Sequence, residues 1–300
     1  KKSTRNIIRM HGWRVDRAIH NYIYFAYYHL YVALFLKAGR FLASKFLWLK
    51  GTGYPFKFVF ERYHAKVLTP SDARKVITLN EDLIIGPDKS KRIIPFDHAN
   101  KIILREPEFI AVMDCPCRLH RNNGCKPMDV CIAVGRTTAQ FWLEHCEKYH
   151  VRKITQDEAL KIIIDARGRG CITTAWFKVA TGARTGVICS CCSCCCGGIE
   201  GMRIAQKFDK TLSIIAPSGY SVENDPKKCK IDRKCSNVCI FNAVTFTADN
   251  RRIYDKAACM GCGLCVEKCE QKALSLVRDP SKGDPLDVDL LRERLKVGVQ

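Results

Sequence analysis

Six cysteines fall within eight positions of the stretch CSCCSCCC: Cys189, Cys191, Cys192, Cys194, Cys195 and Cys196. Neighbouring thiols make poor disulfides, because that bond needs Cα atoms about 4.4–6.8 Å apart with suitably aimed Cβ vectors. Thiolates crowded into a turn are instead good ligands for iron or zinc. Upstream, Cys115, Cys117, Cys125 and Cys131 follow the spacing C-x-C-x7-C-x5-C. Four thiolates with Gly124, Pro116 and Pro127 inside 17 residues suit one closed metal site. Iron–sulfur is preferred to zinc there because the rest of the chain is committed to iron–sulfur chemistry. Arg118 and Arg121 would partly neutralise an anionic cluster and raise its potential. The ten thiolates of these two groups suit two four-iron cubes with two ligands left over, or one larger cluster, with ligands exchanged between groups. Cys146 and Cys171 stand apart from both.

The C-terminal run CMGCGLCVEKC sets Cys259, Cys262, Cys265 and Cys269 in the order C-x2-C-x2-C-x3-C. In that spacing three thiolates wrap one [4Fe–4S] cube and the fourth serves a second cube. The matching run lies 30 residues upstream, where Cys229, Cys235 and Cys239 map onto Cys259, Cys265 and Cys269. Asp232 falls where Cys262 stands, and the repeat continues from CIFNAVTF into CEQKALSL. One ligand set is then Cys229, Asp232, Cys235 and Cys269; the other is Cys259, Cys262, Cys265 and Cys239. A carboxylate is a harder ligand than a thiolate. The first set therefore implies a [4Fe–4S] cube with oxygen or solvent on one iron, or a [3Fe–4S] cluster. Alternatively Asp232 is a solvated turn residue and another cysteine, such as Cys146 or Cys171, reaches in.

Over residues 218–280 these motifs resemble the bacterial-type dicluster ferredoxins. The resemblance implies a β-α-β-β-α-β module with strands at YSVEN, VTFTA, RRIYD and LSLVR and helices near 235–243 and 265–273. Ile240 and Glu270 stand where that family often has proline. Over residues 94–280 the C-x-C-R…C…C and C-x-C-C-x-C-C-C groups before such a module resemble a set of iron–sulfur proteins of anaerobes. This wider resemblance implies electron transfer beside larger redox enzymes and names no substrate.

The remaining sequence bounds what positions these residues. The chain has 300 residues, 47% of them hydrophobic, enough for one to three domains with a real core. Its 19 cysteines are bunched at metal-like spacings, which implies a reducing compartment. The net charge is +20, and residues 1–60 hold 11 Lys/Arg against the single acid Asp16. Such a block favours an anionic partner; no nucleic-acid motif accompanies it. The uncharged run NYIYFAYYHLYVALFL has 16 residues, short of the roughly 20 of a bilayer span. It reads as a helix lying on a membrane or spanning it briefly, or as one buried in the fold or against a partner. Asp-x-Ala-x-Lys-Ile-Ile recurs at 97–103 and 157–163, and Thr155 with Glu158 forms a capping-box pattern. Both copies are expected to be short helices.

The expected class is α+β, in four parts. Residues 1–60 form a basic, aromatic docking region; 61–215 a mixed, loop-rich iron–sulfur domain; 216–280 the dicluster module; and 281–300 a tail. Nothing resembles a Rossmann fingerprint, a P-loop or a nucleophile elbow. The reading is an electron-transfer protein with three or four clusters. It would pass electrons between a redox enzyme (a flavoprotein or another iron–sulfur protein) and a second carrier or the quinone pool, at the cytoplasmic face of a membrane. The rivals are an iron–sulfur oxidoreductase with a substrate-binding cluster in the middle domain, and a cluster scaffold.

Overall fold

The apolar runs between the cysteine groups pair as strands of one mixed sheet. The computed structural model describes residues 2–13, 15–46, 48, 53–121 and 123–296. Four helices come first: α1 (Lys2–His11), α2 (Val15–Ala26), α3 (Tyr28–Lys45) and α4 (Tyr54–Phe60). Then come β1 (Tyr63–Leu68), α5 (Pro70–Ile77), β2 (Leu83–Pro87), β3 (Lys101–Leu104), β4 (Ile110–Met113), α6 (Pro116–Leu119) and β5 (Cys131–Val134). Next are α7 (Arg136–His145), β6 (Arg152–Ile154), α8 (Gln156–Gly168), β7 (Ile172–Lys178), β8 (Arg184–Cys191), α9 (Gly197–Ala205) and β9 (Ile215–Ala216). The path β6-β4-β5-β8-β7-β1-β9, with β2 and β3 joined through β8, makes a nine-stranded sheet. The middle region is therefore built on a sheet and is not loop-rich as expected.

Apolar side chains cover both faces of this sheet. Leu68, Ile77, Leu104, Ile163 and Leu291 share one cluster; Leu36, Phe56, Phe60 and Ile199 form a second. Phe25, Tyr28, Trp142 and Tyr149 form a third. Burying each such side chain contributes about 1.5–3 kcal/mol. The N-terminal helices are thus part of the fold: α2 and α3 bury Phe25, Tyr28 and Leu36 against the sheet and α9. A Cβ on Gly201 would lie 3.0 Å from Phe35 and one on Gly197 2.7 Å from Val32, so small residues let α9 approach α3 closely. Among the described residues no helix is long and apolar enough to cross a membrane.

The two copies of the heptapeptide differ. Thr155 Oγ1 accepts the Glu158 N–H at 3.2 Å and starts α8 as expected. The copy at 97–103 is a bend followed by β3. Ala99 takes a left-handed φ of 53°, and Lys101 N–H donates to Ala183 O at 3.1 Å, so its backbone pairs with the sheet. Tertiary pairing overrides the local helical pattern there.

The last third contains β10 (Tyr220–Asn224), α10 (Lys234–Val238), β11 (Val244–Phe246), β12 (Arg252–Tyr254), α11 (Leu264–Glu267) and β13 (Leu274–Arg278). β10 pairs with β13 and β11 with β12, both antiparallel, and both helices are shorter than expected. Arg167 of α8 anchors this unit, donating to Glu267 at 2.9 Å and to Cys262 O at 2.8 Å. Residues 281–300, expected as a tail, instead form α12 (Val288–Lys296), which returns to the first core through the buried Val288 and Leu291. Residues 297–300 lie outside the described residues.

Asp284 fixes that return. It accepts from Arg92 at 2.9 and 3.0 Å and pairs with Arg294. Hydrogen bonds from Arg92, then from Arg294, hold its carboxyl down at about 2. An unfolded aspartate titrates near 3.9, so this pairing stabilises the fold above about pH 4 and is lost as pH falls through the folded value. Asp284→Asn should lower the urea midpoint at pH 7, with the difference from the parent shrinking between pH 4 and pH 2.

Candidate metal centres

Strand register assembles the first centre. Cys131 on β5 lies directly opposite Cys189 on β8, their sulfurs 3.6 Å apart. Cys191 is two residues further along β8, so it falls on the same face. Cys196 precedes α9, and Cys115 precedes α6 with Cys117 in its first turn. Thiol contacts join Cys115 to Cys117, Cys117 to Cys196, Cys196 to Cys191 and Cys191 to Cys189. These six cysteines, together with Cys192 and Cys195, line one partly open cavity, with Tyr24, Tyr28 and Tyr31 of α2 and α3 on its wall.

Its electrostatics fit an anionic group. Lys178 is 1% exposed, its Nζ donates to Tyr28 Oη at 2.5 Å, and among the described residues no carboxylate pairs with it. Burial lowers its pKa, and facing Cys189, Cys131, Cys117 and Cys115 opposes that effect. Trp176 also lines the cavity, and its indole N–H is buried without an acceptor. A Cβ on Gly198 would come 2.4 Å from that indole, so only glycine fits where α9 opens toward the thiols. The Cys115 thiol is pushed well up by its hydrogen bond to Cys117 and by burial, as Cys189 is by Cys131 and burial. Six buried thiols in contact cannot all ionise without cations, and metal binding supplies that compensation. The residues present therefore fit an iron–sulfur cluster.

Cys125 is missing from this cavity, contrary to the single closed site expected for Cys115, Cys117, Cys125 and Cys131. A Cβ on Gly124 would sit 2.3 Å from Arg118 O, so glycine lets the loop double back and carry Cys125 to the other side. There it meets Cys192, Cys194 and Cys195, the four sulfurs lying within 4.8 Å of one another. Cys171, a lone cysteine in sequence, adjoins this group. Its hydrogen bond lowers the Cys192 thiol, with the Cys195 backbone and Arg118 acting the same way. Arg118 is 1% exposed and reaches Cys171 Sγ at 3.6 Å. Arg121 pairs with Glu200 and so does not serve a cluster as expected.

The repeat in the C-terminal unit extends to backbone conformation. Gly261 and Gly263 have φ of 63° and 78°, and their counterparts Ile231 and Arg233 have 57° and 58°. Asn242 and Lys272 match in the same way, at 54° and 48°. Cys229, Asp232, Cys235 and Cys269 line one pocket. Arg252 lines it too, with Nε and Nη2 buried and without acceptors, as beside an anionic cluster. Cys265 is pushed up to about 12, first by burial and then by the nearby Cys262, Cys239, Cys259 and Cys235. Asp232 Oδ1 accepts the Lys234 N–H at 3.1 Å, and Oδ2 lies 4.0 Å from Lys234 Nζ. Cys146 is buried against α2, near Phe25 O, and Cys171 sits beside Cys192; neither lines the Asp232 pocket.

The 4Fe-4S binding domain family matches residues 252–275. This 4Fe-4S binding segment holds Cys259, Cys262, Cys265 and Cys269. With the cysteine group at 125 and 192–195, it makes the chain an iron–sulfur, metal-binding protein. No curated protein matches the chain. Lys178, Trp176 and Arg252 were not legible as site residues, since a lone cation or indole in a strand carries no spacing signal.

Ile231 is β-branched and left-handed, a conformation that costs about 1–2 kcal/mol and that glycine adopts freely. Allowing for the extra flexibility of an unfolded glycine, Ile231→Gly should stabilise the protein by up to about 1 kcal/mol. Thermal unfolding under anaerobic conditions would read this, and a drop in midpoint would contradict the strain argument.

Proposed function

We propose that the protein is an electron-transfer subunit with three iron–sulfur clusters, two in a dicluster ferredoxin-like unit and one in the cysteine-lined cavity. The carrying observation is the grouping of cysteines in the cavity and in the C-terminal unit, with buried Lys178 and Trp176 beside the first and Arg252 beside Cys229, Cys235 and Cys269. The order β10-α10-β11-β12-α11-β13 and the matched left-handed residues support the ferredoxin-like reading. When bound, the clusters supply one-electron transfer. The chain's own residues hold them apart, limit water with the aromatic wall, and balance their charge through Lys178 and Arg252. The partner is a redox-enzyme subunit, a flavoprotein or another iron–sulfur protein, in a reducing cytoplasm.

The test is an anaerobic iron and sulfide count with redox titration by electron paramagnetic resonance. Three reducible clusters support the reading. A colourless, zinc-only protein would end it. Asp232 is the ligand proposed for the fourth position of the Cys229–Cys235–Cys269 cluster, holding a [4Fe–4S] cube that loses one iron readily. Asp232→Cys should suppress oxidative conversion to a [3Fe–4S] signal; conversion as fast as in the parent would return Asp232 to its role as a turn residue.

The cavity also favours a second reading. Eight cysteines line it, four more than a cube takes, in a tyrosine-lined space, as an oxidoreductase with a substrate-binding cluster would need. A small thiol or disulfide that alters the cavity cluster's resonance, while leaving the other two unchanged, would favour the enzyme.

The outward face of α2 and α3 is proposed to dock on an anionic membrane surface. Ile19, Ile23, Leu30, Leu34, Phe41 and Trp48 are exposed beside Lys37, Arg40 and Lys45. Each basic residue near anionic lipid contributes about 1 kcal/mol, weakened by salt. Leu34→Glu with Trp48→Glu should reduce sedimentation with anionic vesicles several-fold at low salt without loss of iron. Equal binding of parent and variant would remove this surface from consideration.

A further inference from the structure

The group at Cys125, Cys192, Cys194 and Cys195 differs in scale from the other cysteine sets. Cys125 Sγ lies 3.0 Å from Cys194 Sγ and 3.5 Å from Cys195 Sγ, and Cys194 and Cys195 are 3.6 Å apart. A tetrahedral ion with bonds of about 2.3 Å spaces its sulfurs roughly 3.8 Å apart. A four-iron cube needs much wider spacing, because each thiolate stands one bond beyond a different iron. Among the described residues this is the only set of three or more ligating side chains as compact as one ion requires. The cysteines of the C-terminal unit form no such group. All cysteines are free, and the 3.0 Å contact is too long for a disulfide of about 2.05 Å.

We propose that these four cysteines bind one thiophilic divalent ion, ferrous iron or zinc, as a mononuclear tetrathiolate site at the edge of the cavity, whose wall Cys192 and Cys195 share, and separate from the C-terminal clusters. Binding releases the protons of whichever thiols are neutral, and the metal keeps its oxidation state. The four thiolates and the ion carry a net charge of −2, and the buried Arg118 guanidinium, with Nε lacking a partner, lies beside them to offset it. The ion closes a long loop, fastening the Cys125 turn to the 192–195 turn. Its place in the fold is specific. Cys191 and Cys196, which flank the turn, line the cavity, as do Cys192 and Cys195, whereas Cys125 and Cys194 do not, so the ion would stand at the cavity's edge. Arg203 ties the same turn to the C-terminal unit, donating to Ser193 O at 2.9 Å and to Ile240 O, next to Cys239, at 3.0 Å. The ion thus pins the hinge at which the cavity and the ferredoxin-like unit meet.

The experiment uses the full chain, purified anaerobically. Elemental analysis, sulfide determination and X-ray absorption at the zinc and iron edges are applied to the parent and to Cys194→Ala and Cys125→Ala, with Cys146→Ala as control. Each of the first two variants should lose one metal ion per chain and no sulfide; the control should lose neither. If the ion is zinc, its edge should show four sulfur neighbours near 2.3 Å and no metal neighbour. If it is iron, Mössbauer spectra of the parent should contain a ferrous tetrathiolate component amounting to one iron per chain. The parent spectra answer the question even if a variant fails to fold. Loss of several irons together with sulfide would overturn the proposal in favour of a cube. A parent with no mononuclear component, or with Cys125 and Cys194 joined as a disulfide, would overturn it as well.

Discussion

Thiolates repel one another, and a protein interior does not screen them. Ten cysteines lie around the end of one sheet, five of them buried and only Cys194 exposed. The surrounding structure answers that repulsion. Lys178 and Arg118, each 1% exposed, stand among the thiols without carboxylate partners, where an isolated cation would otherwise be costly to bury. Buried cations beside crowded thiols offset each other's cost, and the pairing fits an anionic thiolate–metal centre.

The aromatic N-terminal helices gain a physical role from the same constraint. A cavity of thiols opening to solvent would be oxidised and hydrated. Tyr24, Tyr28 and Tyr31 stand on its wall, and Tyr28 also receives the Lys178 hydrogen bond. The glycines at 197 and 201 let α9 sit tightly under α3, so that wall and the start of the cysteine-flanked helix move as one packed unit. The outward face of the same helices stays apolar and basic. One helix pair thereby covers the cysteine-lined cavity on its inner side and leaves apolar and basic side chains exposed on its outer side.

Arg167 and Arg203 join the two cysteine-bearing regions by gripping backbone carbonyls next to ligand positions. Arg167 holds Cys262 O from α8, and Arg203 holds Ile240 O while also holding Ser193 O. Side-chain to carbonyl bonds of this kind fix loop position, and Arg167 adds an ion pair with Glu267 of the C-terminal unit. The C-terminal helix returns to the first core through Asp284 and Leu291, so the C-terminal unit is tethered at both of its ends.

The C-terminal ligand sets were legible in the sequence because their spacing is local. A loop of C-x2-C-x2-C folds around its own cofactor, and a 30-residue repeat copies even the left-handed positions onto Ile231 and Arg233. The Thr155 cap was legible for the same reason. The middle region was not, because its site is assembled across strands. Cys131 and Cys189 meet only through the β5–β8 register, and Gly124 turns Cys125 away from its sequence neighbours. The sequence thus singled out the cysteines as candidate metal ligands. Only tertiary structure decided how ten thiols divide into six and four, because side chains 58 to 79 positions apart are brought together by strand pairing and helix packing, and neither is written in local spacing.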